Sequence, residues 1–130
     1  MQRAKRTAEL AGFANPQITD ILREVDYGDY EGVTSKQIHE SSPSWEVYLD
    51  GSPGGETPEQ IRSRAQDFLL LAGKSGGRVL AFAHGHILRA IGAAFIRADI
   101  SVAVGLMLDE ATLSILRDDG HRLIVLWNAP

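Results

Sequence analysis

The apolar positions of the chain change their spacing several times, and each change predicts an element. Ala4, Thr7, Ala8 and Ala11 recur at helical spacing and predict a closely packing first helix over 2–11, ended by Gly12. Residues 18–25, ITDILREV, mix β-branched and apolar side chains and predict a short strand or extended segment. The glycines at 28 and 32 in DYGDYEG break regular structure. Short helices are predicted over 34–41, capped by Thr34, and over 44–49, with a loop at 50–57. Thr57 opens the best-marked helix: Pro58 takes its first position, Gln60 completes a capping box, and Ile61, Ala65, Phe68, Leu69 and Ala72 share one face as far as Gly73. The run 79–83 is continuously apolar and of strand length, which predicts a strand buried on both faces of a parallel sheet. An internal helix over 86–96 follows. ATLSILR (111–117) and HRLIVLW (121–127) flank Asp118-Asp119-Gly120 and predict a hairpin.

Helices alternating with buried strands, closed by a hairpin, define an α/β chain with a mixed sheet. A strand buried on both faces needs neighbours on both sides, and this sequence supplies few. Its 130 residues suit one domain, 1–130, with 44% hydrophobic and 23% charged residues. There is no cysteine, which excludes a disulfide framework and fits a reducing cytoplasm. Thirteen basic against seventeen acidic residues give a net charge of −4, which argues against a nucleic-acid partner. The basic start MQRAKR lacks the apolar core and cleavage site of a targeting peptide. The apolar stretch 79–96 contains His84, His86 and Arg89, so a buried strand and helix are expected rather than a membrane span.

The chemistry concentrates in VLAFAHGHILRA, 79–90. Ligands of open α/β sheets sit beyond the carboxyl ends of the strands, and His84 falls at such an end, before a helix N-terminus suited to anions. Gly85 would let an anion approach the backbone. His84 is then either a phosphate-binding group or a satisfied strand-end histidine. His86 either lines the same pocket or starts the helix without further role; a metal site would need a third ligand that the spacing does not supply. Arg89 either neutralises a phosphate or pairs with a carboxylate. Glu24, where an extended segment enters a glycine-broken loop, is either a general acid or an ordinary surface glutamate. Arg3 lies on the first helix.

Taken in order, QRAKRTAEL, LREVDYGDYEG, GGETPEQIRSR and VLAFAHGHILRA resemble four segments of the histidine phosphatase superfamily, the phosphoglycerate-mutase-like fold, and are most similar to its acid-phosphatase-like members. The resemblance implies a three-layer α/β fold with a mostly parallel mixed sheet and a C-terminal antiparallel hairpin. It implies hydrolysis of a small phosphorylated metabolite, without metal or cofactor and without nucleic acid or membrane as partner. Glu24 would donate a proton to the leaving group. His84 would bind the phosphoryl group in its transition state, with Arg3, Gly85, His86 and Arg89 around the phosphate. The family's nucleophile is the histidine of an R-H-G motif on the first strand, and no R-H-G occurs here. The chain thus resembles a member cut after its second strand, with the first strands missing, and is expected to be inactive or impaired. Unpaired strand edges would favour a homo-oligomer. Two other readings are a non-catalytic phosphate-binding or interaction protein, and a mutase; the short segment between Glu24 and His84 speaks against the mutase.

Overall fold

A computed structural model describes residues 2–130. The first helix, α1 (Gln2–Leu10), buries Ala8 and ends as expected. Gly12 takes φ +92, and the amides of Gly12 and Phe13 donate to Glu9 and Ala8, the bonding pattern of a left-handed helix stop. Residues 18–25 do not form a strand. Thr19 instead caps a 3₁₀ turn at Asp20–Leu22, its hydroxyl oxygen accepting from the Ile21 amide. That local bond offers the backbone an alternative to a ladder. A second 3₁₀ turn, Gly28–Tyr30, leads to α2 (Ser35–Ser41) and α3 (Val47–Asp50). The expected Thr34 cap forms and is completed by Gln37 as a capping box, and the capping box expected at Thr57 opens α4 (Pro58–Gly73).

The run 79–83 departs from expectation in its surroundings. Residues 77–83 make no backbone–backbone hydrogen bond among the described residues, and Val79 and Leu80 are exposed. The expected strand buried on both faces is therefore corrected to an unpaired segment. A parallel strand needs partners for its amides and carbonyls on each side, and the described residues offer none. Ala81 and Ala83 still pack on the core, and Phe82 meets Phe13 with ring centroids 5.8 Å apart.

After this segment comes α5 (Gly85–Phe95), the most buried helix, with Ile87, Ala90, Ile91, Gly92 and Ala93 inside. It packs along α4 through Ile61, Ala65 and Phe68, and Val25, Val47 and Tyr48 complete the same core. A 3₁₀ segment, Ile100–Gly105, which the sequence pattern did not suggest, covers α3 and α5. The predicted hairpin forms as β1 (Leu113–Asp118) and β2 (Arg122–Ala129), antiparallel, with irregular register near Ile115. Trp127 of β2 lies against α5 at Gly92, where an added Cβ would come 2.7 Å from the indole. Leu113, Ile115, Leu123 and Val125 of the hairpin remain exposed. No described helix is long and apolar enough to cross a membrane.

Candidate functional site

Glu24 and the start of α5 meet although sixty residues separate them. His84 is the N-cap of α5, in extended conformation (φ −126, ψ 163), and its side chain makes no capping bond. The orphan amides of the first turn are taken up from elsewhere. Glu24 Oε2 accepts from the His86 amide at 3.3 Å, and Oε1 accepts from Ile87 at 3.1 Å and from Val25 at 3.0 Å. A carboxylate at a helix N-terminus is favoured by both the free N–H groups and the helix dipole. Burial acts on Glu24 most strongly and raises its pKa. The hydrogen bonds and charge around His86, with the Val25 and Ile87 amides, outweigh burial together, so the carboxyl is held down at about 2. The carboxylate therefore already fills the anion position of α5, in its ionised form.

His86 sits among aromatic rings. Its Nδ1 and the Tyr27 hydroxyl are 2.5 Å apart, the same nitrogen lies 3.9 Å from Glu24 Oε2, and Tyr48 donates its hydroxyl to the His86 carbonyl at 2.8 Å. Both phenols are kept firmly in the neutral form, chiefly by burial. These two tyrosines hold His86, a role that no local spacing in the sequence signals. His84 is half-buried, and its Nε2 is buried without a hydrogen-bond partner among the described residues. Unpaired buried nitrogens are uncommon in folded proteins. Burial lowers the His84 pKa, the Glu24 charge opposes that shift, and the Arg3 charge adds to it. Arg3 is exposed on α1, with no ion pair among the described residues. Beside Gly85 the space is open: a Cβ there would meet nothing within 4 Å.

Arg89 is engaged with backbone and with an aromatic ring. Its Nε donates to the Ala103 carbonyl at 3.0 Å and its Nη2 to Val104 at 2.9 Å, while the guanidinium lies over the Tyr48 ring. It joins α5 to the 3₁₀ segment, makes no ion pair among the described residues, and its charge reaches Tyr27 and Tyr48 beside His86. Helical spacing from His86 could not reveal this, because the segment that supplies the carbonyls was itself unpredicted.

A buried ion pair stands behind Glu24. Arg64, on α4, donates from Nε and Nη2 to the two oxygens of Glu56 at 2.8 and 2.6 Å. Its Nη1 donates to the carbonyls of Ile21 (2.9 Å) and Arg23 (2.6 Å), and Glu56 Oε2 also accepts from the Asp26 amide at 2.9 Å. Among the described residues no group of three or more histidine, aspartate or glutamate side chains is arranged to hold a metal ion.

Helices packed around α5, a closing antiparallel hairpin and a carboxylate–histidine cluster at one helix N-terminus define a phosphoglycerate-mutase-like domain. The chain belongs to the histidine phosphatase superfamily (branch 1), whose profile matches residues 1–130. It is 36% identical over 116 residues to an acid phosphatase of Mycobacterium tuberculosis, covering 88% of this chain and 57% of that protein. It is 37% identical over 89 residues to a sedoheptulose 1,7-bisphosphatase of Saccharomyces cerevisiae, covering 55% of this chain and 33% of that one. The chain thus spans between a third and three fifths of the length of these curated relatives. Among solved structures it superposes on the product of an open reading frame from Mycobacterium tuberculosis with a TM-score of 0.93 and 34% identity, over 98% of this chain and 68% of that one. The alpha-ribazole phosphatase of Shigella flexneri gives a TM-score of 0.81 at 18% identity, over 99% and 70%, a likeness of fold alone.

Proposed function

We propose that these residues form the part of a phosphomonoesterase site that binds the phosphoryl group and protonates the leaving group, acting on a small phosphorylated metabolite. The observation that carries the reading is the convergence of Glu24 and His84 on the N-terminus of α5. A phosphoryl group in transfer spreads charge over three oxygens, and the free His84 Nε2, the first amides of α5 and the Arg3 guanidinium are donors suited to offset it. Family membership and the acid phosphatase likeness support the same reaction class. The absence of cysteine fits a reducing cytoplasm.

Glu24 then has two states. Without an anion its carboxylate caps α5 and is ionised, so it has no proton to donate. A phosphoryl dianion arriving at the same amides removes those hydrogen bonds and brings a like charge close. Both effects raise a carboxyl pKa. The incoming substrate thereby creates the acid that its leaving oxygen needs. Arg89 is held by the Ala103 and Val104 carbonyls in this arrangement.

The nucleophile is not among these residues. His39 Nε2 is engaged with the Trp45 carbonyl, His121 lies at the hairpin turn, and His86 is bonded to Tyr27. Hydrolysis through a phosphohistidine requires a further histidine facing His84. The 130-residue chain is therefore expected to release no phosphate from p-nitrophenyl phosphate. A form extended upstream, carrying an R-H-G strand, is expected to turn over and to lose activity in His84→Ala. Turnover by the 130 residues alone that His84→Ala abolishes would overturn the reading. A second reading, phosphate binding without catalysis, rests on the α5 N-terminus being complete without a nucleophile; it requires that the extended form bind vanadate but hydrolyse nothing.

A further inference from the structure

Glu24 is placed at the α5 N-terminus by backbone whose path is fixed from α4 and from Glu56 just before it. Arg64 holds the carbonyls of Ile21 and Arg23 on one side of Glu24, and Glu56 holds the Asp26 amide on the other. The Glu56 amide also donates to the Asp26 carbonyl at 2.9 Å, and Gly55 passes so close that an added Cβ would sit 2.3 Å from that oxygen. The pair is nearly sealed from water, with side-chain exposures of 13% for Arg64 and 10% for Glu56. Helix α5 is referenced to the same helix, since Ile61 and Ala65 of α4 share its core with Ile87 and Ile91. Helix α4 and the residues just before it thus set both the amides and the carboxylate that meets them.

We infer that Glu56 and Arg64 are positioning residues for Glu24, fixing its carboxylate against the His86 and Ile87 amides. A planar guanidinium fork can hold two carbonyls and a carboxylate at once, whereas an ammonium concentrates its charge at one point. Arginine is therefore required for its geometry as well as its charge. What the position means for catalysis rests on the phosphatase reading above; the position itself is measurable without substrate.

The test is the titration of Glu24, followed by its side-chain carboxyl resonance and by the His86 and Ile87 amides in the intact chain. Two variants are compared with the unmodified protein. Glu56→Gln combined with Arg64→Met removes both charges, so neither is left buried alone, and Arg64→Lys keeps the charge but loses the fork. The expected result is a rise of the Glu24 midpoint from about 2 toward the ordinary 4.5, with exchange of the His86 and Ile87 amides faster by roughly tenfold. The rise should be partial in Arg64→Lys and nearly complete in the double variant. A merely structural ion pair would lower the melting temperature and leave the Glu24 midpoint in place; that result in either folded variant overturns the inference. Should the double variant not fold, Arg64→Lys decides alone by the same two outcomes. Failure here leaves the phosphatase reading standing, and failure of p-nitrophenyl phosphate turnover in the extended form leaves the positioning standing.

Discussion

Replacing Glu24 by glutamine keeps the shape of the side chain and one acceptor for the α5 amides while removing the charge. The magnitude follows from the depressed carboxyl. Held at about 2 against an ordinary 4.5, it differs by about 2.5 pH units between folded and unfolded chains, or about 3 kcal/mol at 1.36 kcal/mol per unit. The side chain is 28% exposed, and the water that reaches it screens the interaction, so about 2 kcal/mol is expected. A depressed carboxyl stabilises above the unfolded pKa, and that stability is lost as the pH falls through the folded pKa. Glu24→Gln should therefore be less stable than the unmodified chain by about 2 kcal/mol at neutral pH. The gap should narrow below about pH 4.5 and close near pH 2. Urea unfolding followed by the fluorescence of Trp45 and Trp127, at several pH values across that window, reads the difference directly. Equal stability at neutral pH, or a deficit that persists unchanged to pH 2, would refute the reasoning.

Gly28→Ala should destabilise by more than about 2 kcal/mol in thermal melts, because the residue combines φ +52 with a Cβ position 2.2 Å from the Pro53 carbonyl oxygen; an unchanged melting temperature would contradict the tight packing of residues 26–28 against 53–55. The uncovered hairpin face and the unpaired segment 77–83 should make the chain self-associate with rising concentration. Sedimentation should show this, and Val125→Lys should reduce it; a monomer at all concentrations would be the contrary result.

Much of this arrangement was legible in the sequence, and the failures have physical causes. The Thr34 cap, the capping box at Thr57, the Gly12 stop and the hairpin around Gly120 were readable because each is set by residues within a few positions. The run 79–83 was misread because an apolar run says that a segment wants burial, not that partners exist to bury it. Residues 18–25 carried a strand-like composition, but Thr19 caps a turn there and local bonding prevailed. Glu24 and His84 were picked out by position and resemblance. Their meeting across α5, the ionised state of Glu24 and the grip of Arg64 on its flanking carbonyls depend on contacts about forty to sixty residues apart, which periodicity does not encode. Arg89 shows the same limit: its helical face was correctly placed, but its partners lie in a 3₁₀ segment with no sequence signal.

The central claim is that the N-terminus of α5, with His84, receives a phosphoryl group and displaces Glu24 into its protonated form. Titrating the 130-residue chain with inorganic phosphate while recording the amide resonances of Gly85, His86 and Ile87 and the Glu24 carboxyl tests it most directly. Saturable shifts at those amides, a rise in the Glu24 midpoint when phosphate is bound, and loss of both in His84→Ala are the predicted result. Undisturbed amides, or binding that survives His84→Ala with the Glu24 midpoint unmoved, would contradict it.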